Sequence, residues 1–176
     1  MIQTARLSLI PLTPDHATAL FAGLSDPALY TFQPDDPYPD IAALRARFTQ
    51  LCAGPEDDSQ VRWLNWTAFA NDTPIGTIQI TVMDRAPSLL AYMILTPHQT
   101  KGYATEGCRA VIADTFATTR TPAIDALIDT RNTASIALIE RIGFTRIATI
   151  PNADPFKGSA SDEFHYRLPR PKGQHP

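Results

Sequence analysis

Few of the features that mark a specialised chain are present in this sequence. Only two cysteines, Cys52 and Cys108, occur among 176 residues, far apart and without metal-ligand spacing, which excludes a disulfide framework and fits a reducing compartment. No apolar run reaches the length of a membrane span, and the N-terminus has neither a charged leader nor an unbroken apolar stretch. A cytoplasmic chain with no membrane partner is therefore expected. A net charge of −3 and a pI near 5.7 give no basic field, so no nucleic acid is expected as a partner. Walker and dinucleotide-binding glycine patterns are missing, as are internal repeats. The consecutive acids Glu56, Asp57 and Asp58 lack the spaced ligands of a calcium loop, so no metal is expected.

What is present is ordinary in amount and informative in order. Hydrophobic residues at 44% and charged ones at 19% allow one globular domain with a sizeable core. Ala5 to Leu12 alternates as a first strand, Thr13-Pro14 looks like a helix cap with proline at the first helical position, and that helix is expected to end near Leu24. The proline-rich stretch from Tyr30 to Pro39 is either a solvated connector or a pocket wall, in which Tyr30, Phe32, Asp35 and Asp36 would suit a cationic, partly apolar ligand. Asp40 caps a second helix to about Leu51, with Ile41, Leu44, Phe48 and Leu51 as its apolar stripe.

Period-two patterns follow over Val61 to Ala70, Ile75 to Val82 and Leu89 to Leu95, the first two joined by a turn at Asn71 to Pro74. Alternation sets Trp63, Asn65, Thr67 and Phe69 on one face and Leu64 and Trp66 on the other, so each tryptophan is a core residue or a ligand contact. A helix from about Ala104 to Thr118, a short apolar strand Ala123 to Asp129 and a helix ending at Gly143 come next. Phe144 to Ile150 and Asp162 to Leu168 read as two last strands joined by a loose loop, with 169–176 as a disordered tail. Cys108 shares the inner helical face of Ala104, Val111, Ile112 and Thr115 and reads as a core thiol.

The central stretch runs from Ala91 to Glu106: an apolar strand ends at Thr96-Pro97, a polar turn carries Lys101 and Gly102, and a helix begins. The first turn of a helix leaves about four backbone N–H groups without partners, which together with the helix dipole favours an anion such as phosphate. Gly102 would permit close approach and Ala104 would leave room. Such a turn also serves simply to reverse a chain.

Two strings go further. Gln99-Thr100-Lys101-Gly102-Tyr103-Ala104, with Thr105-Glu106 after it, and Asn132-Thr133-Ala134-Ser135 followed by Glu140-Arg141-Ile142-Gly143-Phe144 together resemble the two signatures of GNAT-superfamily acetyltransferases, in particular the RimJ/RimL-like branch. The resemblance implies an α/β (mixed α+β) fold over residues 1–168, with a mixed, mostly antiparallel sheet, helices on both faces and the order β-α-α-β-β-β-α-β-α-β-β. It also implies acetyl transfer from acetyl-CoA to a primary amine. Backbone groups of Met93, Ile94 and Leu95 would hold the pantetheine arm, with an N–H of Met93 or Ile94 facing the thioester carbonyl. Gln99, Thr100, Lys101, Gly102, Tyr103, Ala104 and Thr105 would form the diphosphate turn, joined by Asn132 and Arg141.

The resemblance places the acceptor against the segment between the first two helices, with Tyr30, Phe32, Asp35 and Asp36; Trp63 and Trp66 of the hairpin are further candidate contacts. Many relatives carry a tyrosine acid where this chain has Ile139, so Ser135 is the expected proton donor. Glu106, Asp154 and Glu163 are the candidate bases. The acceptor is expected to be a protein N-terminal α-amine or a small amine such as a polyamine or aminoglycoside. A catalytically silent acyl-CoA-binding domain is the third reading, and the chain is expected to be a monomer or homodimer.

Overall fold

The computed structural model describes residues 1–55, 60–83, 85–156 and 159–173, with the backbone alone for 154–156 and 159. In chain order the elements are β1 (Ile2–Gln3), β2 (Leu7–Pro11), α1 (His16–Leu24), α2 (Ile41–Ala53), β3 (Val61–Ala70), β4 (Thr73–Met83) and β5 (Ser88–Ile94), then α3 (Tyr103–Thr118), β6 (Ala123–Asp129), α4 (Thr133–Ile142), β7 (Thr145–Phe156) and β8 (Ser159–Pro169). Short 3-10 helices at Pro27–Tyr30 and Thr96–His98 join α1 to α2 and β5 to α3. The strands form one sheet in the order β1-β2-β3-β4-β5-β6-β8-β7. All neighbouring pairs are antiparallel except β5 with β6. Among the described residues no helix is long and apolar enough to cross a membrane.

Alternation along the strands gives the sheet two apolar faces, and helices cover both. Cys108, Val111, Ile112 and Phe116 of α3 and Ile139 of α4 pack on Leu7, Leu9, Trp66, Ile78, Ile80 and Val82. On the opposite face Leu20 and Leu24 of α1 and Leu44 and Phe48 of α2 enclose Leu12 and Leu95. The thiol of Cys108 is wholly buried, as its place on the helix implied, and burial pushes its pKa up.

The local signals hold where a side chain enforces them. Asp40 caps α2, its Oδ1 accepting the Ala43 N–H at 2.7 Å. Thr13, in contrast, caps nothing. His16 N donates to the Thr13 carbonyl at 3.1 Å and Ala17 N to that of Pro14 at 3.2 Å, so a tight turn precedes α1 and delays it to His16.

The hairpin turn shrinks to Asn71 and Asp72, because Thr73 and Pro74 already pair with Ala70 and Phe69. At the far end, the loose loop expected after Pro151 is replaced by a long hairpin in which Asp154, Pro155 and Phe156 pair with Ser161, Ala160 and Ser159. Pro151 and Asn152 mark a register shift within β7, tolerated because β7 is an edge strand. The packed chain also runs past Leu168: Arg170 donates to the carbonyls of Phe116, Thr119 and Thr121. The acids Glu56, Asp57 and Asp58 lie outside the described residues.

The sheet parts at one place. β5 and β6 pair only at Ser88↔Ile124 and Leu89↔Asp125, after which they diverge. Two features draw them apart. The carboxylate of Asp125 accepts from Arg167 Nε and Nη2 and from His165 Nε2, each at 2.7 Å, which ties β6 to β8. On the other side β4 carries a bulge at Ile75, opposite the step from Ala68 to Phe69, and the end of β5 follows β4 through that bend, Leu95 N donating to the Ile75 carbonyl at 2.9 Å.

Gly76 is what allows so close an approach. It has φ +153, and a Cβ there would lie 2.2 Å from the Met93 carbonyl oxygen. Gly76→Ala is expected to lower stability by about 2 kcal/mol or more, read as a lower midpoint in urea unfolding; an unchanged midpoint would mean that β4 and β5 have slack at this point.

Candidate active site

A cavity of about 520 Å³ occupies the gap where β5 leaves β6. Its walls come from Tyr92, Met93 and Ile94 of β5, from His98 to Thr100 and Gly102 to Thr105 at the start of α3, and from Asn132, Ser135, Leu138 and Arg141 along one side of α4. Ala28, Leu29, Phe32 and Gln33 close it from the α1–α2 connection. Two distant strings of the sequence, the Gln99 to Glu106 turn and the Asn132 to Phe144 helix, thus face one another.

The β5 wall is a strand edge without a partner. Leu95 N is bonded to β4, and the Met93 carbonyl lies against Gly76. Antiparallel alternation then turns the N–H and C=O of Tyr92 and Ile94 toward the gap. Ile94, rather than Met93, is accordingly the N–H that faces the cavity. The Ile94 carbonyl is already taken by Gln99 Nε2 at 2.9 Å, so Gln99 braces the turn against the strand.

At the turn, Thr100 (φ 60) and Gly102 (φ 82) are left-handed. Gly102 is the N-cap of α3, with no side-chain cap bond. Among the described residues no hydrogen bond is received from the backbone N–H groups of 100–105, the first helical bond being Glu106 N to Gly102 O at 3.1 Å. Six amides converging beside a strand edge fit a diphosphate with an extended arm.

Lys101 does not add its charge to them. Its Nζ donates back to the Pro97 carbonyl at 2.9 Å. Arg6, unforeseen in the sequence, lies behind the turn instead: its Nη1 donates to the Lys101 carbonyl at 2.9 Å and its guanidinium sits 4.8 Å from the centre of the Tyr103 ring. Arg141 is the guanidinium that lines the cavity.

Glu106 is not placed as a base. Its carboxylate faces the N-terminal segment, accepting from Thr4 Oγ1 at 2.6 Å, Arg6 N at 2.8 Å and Arg6 Nε at 2.7 Å. Partial burial opposes ionisation, but these bonds and the Arg6 charge hold its pKa below the usual range. The side chain of Asp154 lies outside the described residues.

Asn132 caps α4, its Oδ1 accepting Ser135 N at 3.1 Å. That leaves the Ser135 hydroxyl on the cavity wall next to Tyr92. Ile139, one turn further along α4, is wholly buried in the core and offers nothing to the cavity.

The acceptor candidates divide among three places. Phe32 lines the main cavity. Tyr30 and Asp35 line a smaller chamber of about 130 Å³ between the α1/α2 pair and the sheet, together with Tyr38, Arg47, Asn65, Gln79 and Met93. Tyr30 is buried and donates to the Leu24 carbonyl at 2.8 Å, and burial, with Tyr38 and Asp35 nearby, pushes its pKa up to about 12.

Asp36 is exposed and borders neither space. Trp66 is core against α3, and Trp63 borders a separate depression beside Cys52 and Asp114. Neither tryptophan meets the other candidates. Gln33 and Met93 belong to the walls of both the main cavity and the small chamber, so the two spaces adjoin.

The comparisons with known proteins agree with this geometry. A family model described as an acetyltransferase (GNAT) domain matches residues 6–145. A protein of Bacillus licheniformis called uncharacterized N-acetyltransferase p20 is 23% identical over 169 residues, 95% of this chain and 94% of its own. RimL, a ribosomal L7/L12 alpha-N-protein acetyltransferase solved in complex with coenzyme A, superposes with a TM-score of 0.83 at 16% identity, over 94% of this chain and 95% of that one. The microcin self-immunity acetyltransferase MccE, in complex with acetyl-CoA and AMP, gives 0.84 at 14% identity, over 94% and 93%.

The clasp at Glu106 yields a prediction with a definite sign. Because its folded pKa is depressed below 4.5, its contribution is fully present above that value and is lost as pH falls through the folded pKa. Glu106→Gln should cost about 1–2 kcal/mol at pH 7, and the difference from the parent in urea titrations should shrink below about pH 4. A difference that is the same at acid and neutral pH would show that the carboxylate charge contributes nothing.

Proposed function

Since the chain belongs to the GNAT acetyltransferases and takes acetyl-CoA as its donor, we propose that it acetylates a slim primary amine, foremost the α-amine of a protein N-terminus, delivered through the small chamber. Acetyl-CoA supplies an acetyl group activated as a thioester. The observation that carries the reading is the common wall at Gln33 and Met93. It sets the chamber against the strand edge of β5 on the α1/α2 side, the side from which the proposed amine would approach.

The amides of 100–105 hold the diphosphate, and Asn132 and Arg141 border it. The N–H of Ile94 is placed to donate to an acyl oxygen as that oxygen gains negative charge. Gln99 keeps this part of β5 in position through the Ile94 carbonyl.

Basicity favours an α-amine. Deprotonating a lysine-like ammonium at pH 7 costs about 4–5 kcal/mol, against roughly 1 for an α-amine with a pKa near 8. Among the described residues the main cavity has no carboxylate in its walls, and Asp35 in the chamber is the acid on the acceptor side. An acceptor that needs little help to lose its proton suits such a site. With each water occupying about 30 Å³, a chamber of about 130 Å³ suits one short residue or amine tail better than a linked set of sugar rings.

Release of free CoA, measured with acetyl-CoA and a panel of amines, tests this. Peptides beginning with a small residue should turn over, and kcat/KM should level off near pH 8 as the α-amine loses its proton. Turnover of aminoglycosides or polyamines without peptides, or a profile still rising toward pH 10, would replace the proposed acceptor. Binding of acetyl-CoA without turnover of any amine would make the chain a silent acyl-CoA module.

A further inference from the structure

Tyr92 carries an anomaly that the cavity reading leaves unexplained. Its hydroxyl is buried and, among the described residues, has no hydrogen-bond partner. Buried hydroxyls are nearly always paired, and an orphan calls for a reason. Tyr92 lies on β5 beyond the point where β6 departs, lines the cavity, and has Ser135 of α4 as the polar side chain nearest in effect to its phenol.

Strict hydrogen-bond geometry between the two hydroxyls is not met. Ser135 Oγ takes no other bond among the described residues, so rotation about its Cα–Cβ bond is free to bring the pair together. Burial raises the pKa of Tyr92, which keeps the phenol protonated and a donor across the neutral range.

The geometry points to Tyr92 as a positioning residue, whose O–H donates to Ser135 Oγ and so directs the serine proton at the sulfur of the thioester that the cavity accepts. This rests on the cofactor reading of that cavity and adds a role within it. In the transfer, the amine nitrogen forms the C–N bond, the C–S bond breaks with its electron pair left on sulfur, and the proton released from nitrogen ends on the thiol through solvent. Neither hydroxyl has to ionise. A thiol with a pKa near 8.5 leaves readily as thiolate, and two hydroxyls in series serve to hydrogen-bond that charge as it develops. A buried tyrosine held without a partner in the free protein is a group waiting for a chain to complete.

Coenzyme A itself is the probe, because its thiol reports the donors without any acceptor. The thiol of bound CoA, followed by thiolate absorbance against pH, should titrate below 8.5 in the parent protein. In Tyr92→Phe and in Ser135→Ala the thiolate-to-thiol ratio at a given pH should fall about tenfold, equivalent to one pKa unit. The double variant should fall little further, since the two act in series. Free Y92F should unfold at the same temperature as the parent or higher, because the orphan hydroxyl contributes nothing there.

Titration of CoA on Y92F as on the parent would overturn the role of Tyr92 and leave the cavity reading standing. So would additive effects of the two substitutions, or a free Y92F protein of lower stability, which would mark the hydroxyl as a structural bond. If CoA binds none of these proteins, the cavity reading itself falls, and the pairing with it.

Discussion

A parallel strand pair that is joined for two residues and then released is the constraint on which the rest depends. Had β5 stayed with β6 beyond Leu89 and Asp125, the amides and carbonyls of Tyr92 and Ile94 would be spent within the sheet. The separation is imposed from both sides: Asp125 is fastened to Arg167 and His165 on β8, while β5 bends with β4 at the Ile75 bulge. Hydrogen bonds and the burial-opposing charge of Arg167 hold the Asp125 pKa low despite desolvation, so the fastening is ionic as well as geometric. An unpaired edge inside a domain is a template for an extended ligand.

Where the edge ends, the backbone amides of 100–105 supply partial positive charge, and Arg141 is the cationic side chain in the same cavity wall. Lys101, the cation nearest in sequence, is folded back on Pro97. Arg6 grips the outside of the turn and meets Glu106 there. A lysine aimed into the cavity would bind any anion that entered, and would need to be ordered each time. Amides fixed by a left-handed Gly102 and a helix start are already oriented, so they discriminate by geometry and cost no side-chain entropy. The ion pair at this end therefore shapes the turn, and the turn leaves its amides available to an anion.

Much of this was legible in the sequence because it is written in local signals. The helix cap at Asp40, the two-residue periodicity of β3 to β5 and the Gly102 and Gly143 positions each constrain a few neighbouring residues, and the fold follows from their order. The pairing of the phosphate turn with the Asn132 helix was visible because both strings have fixed internal spacing. What escaped is long-range. Glu106 is separated from Arg6 by 100 positions, and no spacing rule connects a helix's first-turn acid to the turn between the first two strands. The same holds for Tyr92, whose significance lies in what fails to reach it. The tryptophans stayed open for a different reason: a large aromatic on an alternating strand suits core or a ligand contact equally, and packing against α3 makes Trp66 core.

The two halves of the site are specified by different means, and this sets how far a sequence can be read. The donor half is built from main chain, so its signature lies in residues that permit a backbone conformation: glycine, small residues, a capping asparagine. Those are few and recur at fixed spacing. The acceptor half, as proposed, is built from side chains of the segment between α1 and α2, where Phe32, Gln33 and Asp35 follow a 3-10 helix. Substitutions there leave the backbone conformation untouched, so no motif records them. Met93 shows both rules in one residue. Its carbonyl is committed to the sheet beside Gly76 and could belong to almost any amino acid, while the residue also borders both the main cavity and the small chamber. Under that proposal, changes in acceptor preference would be sought at Gln33, Asp35 and Met93, where side chains can vary without disturbing the backbone of the free strand edge.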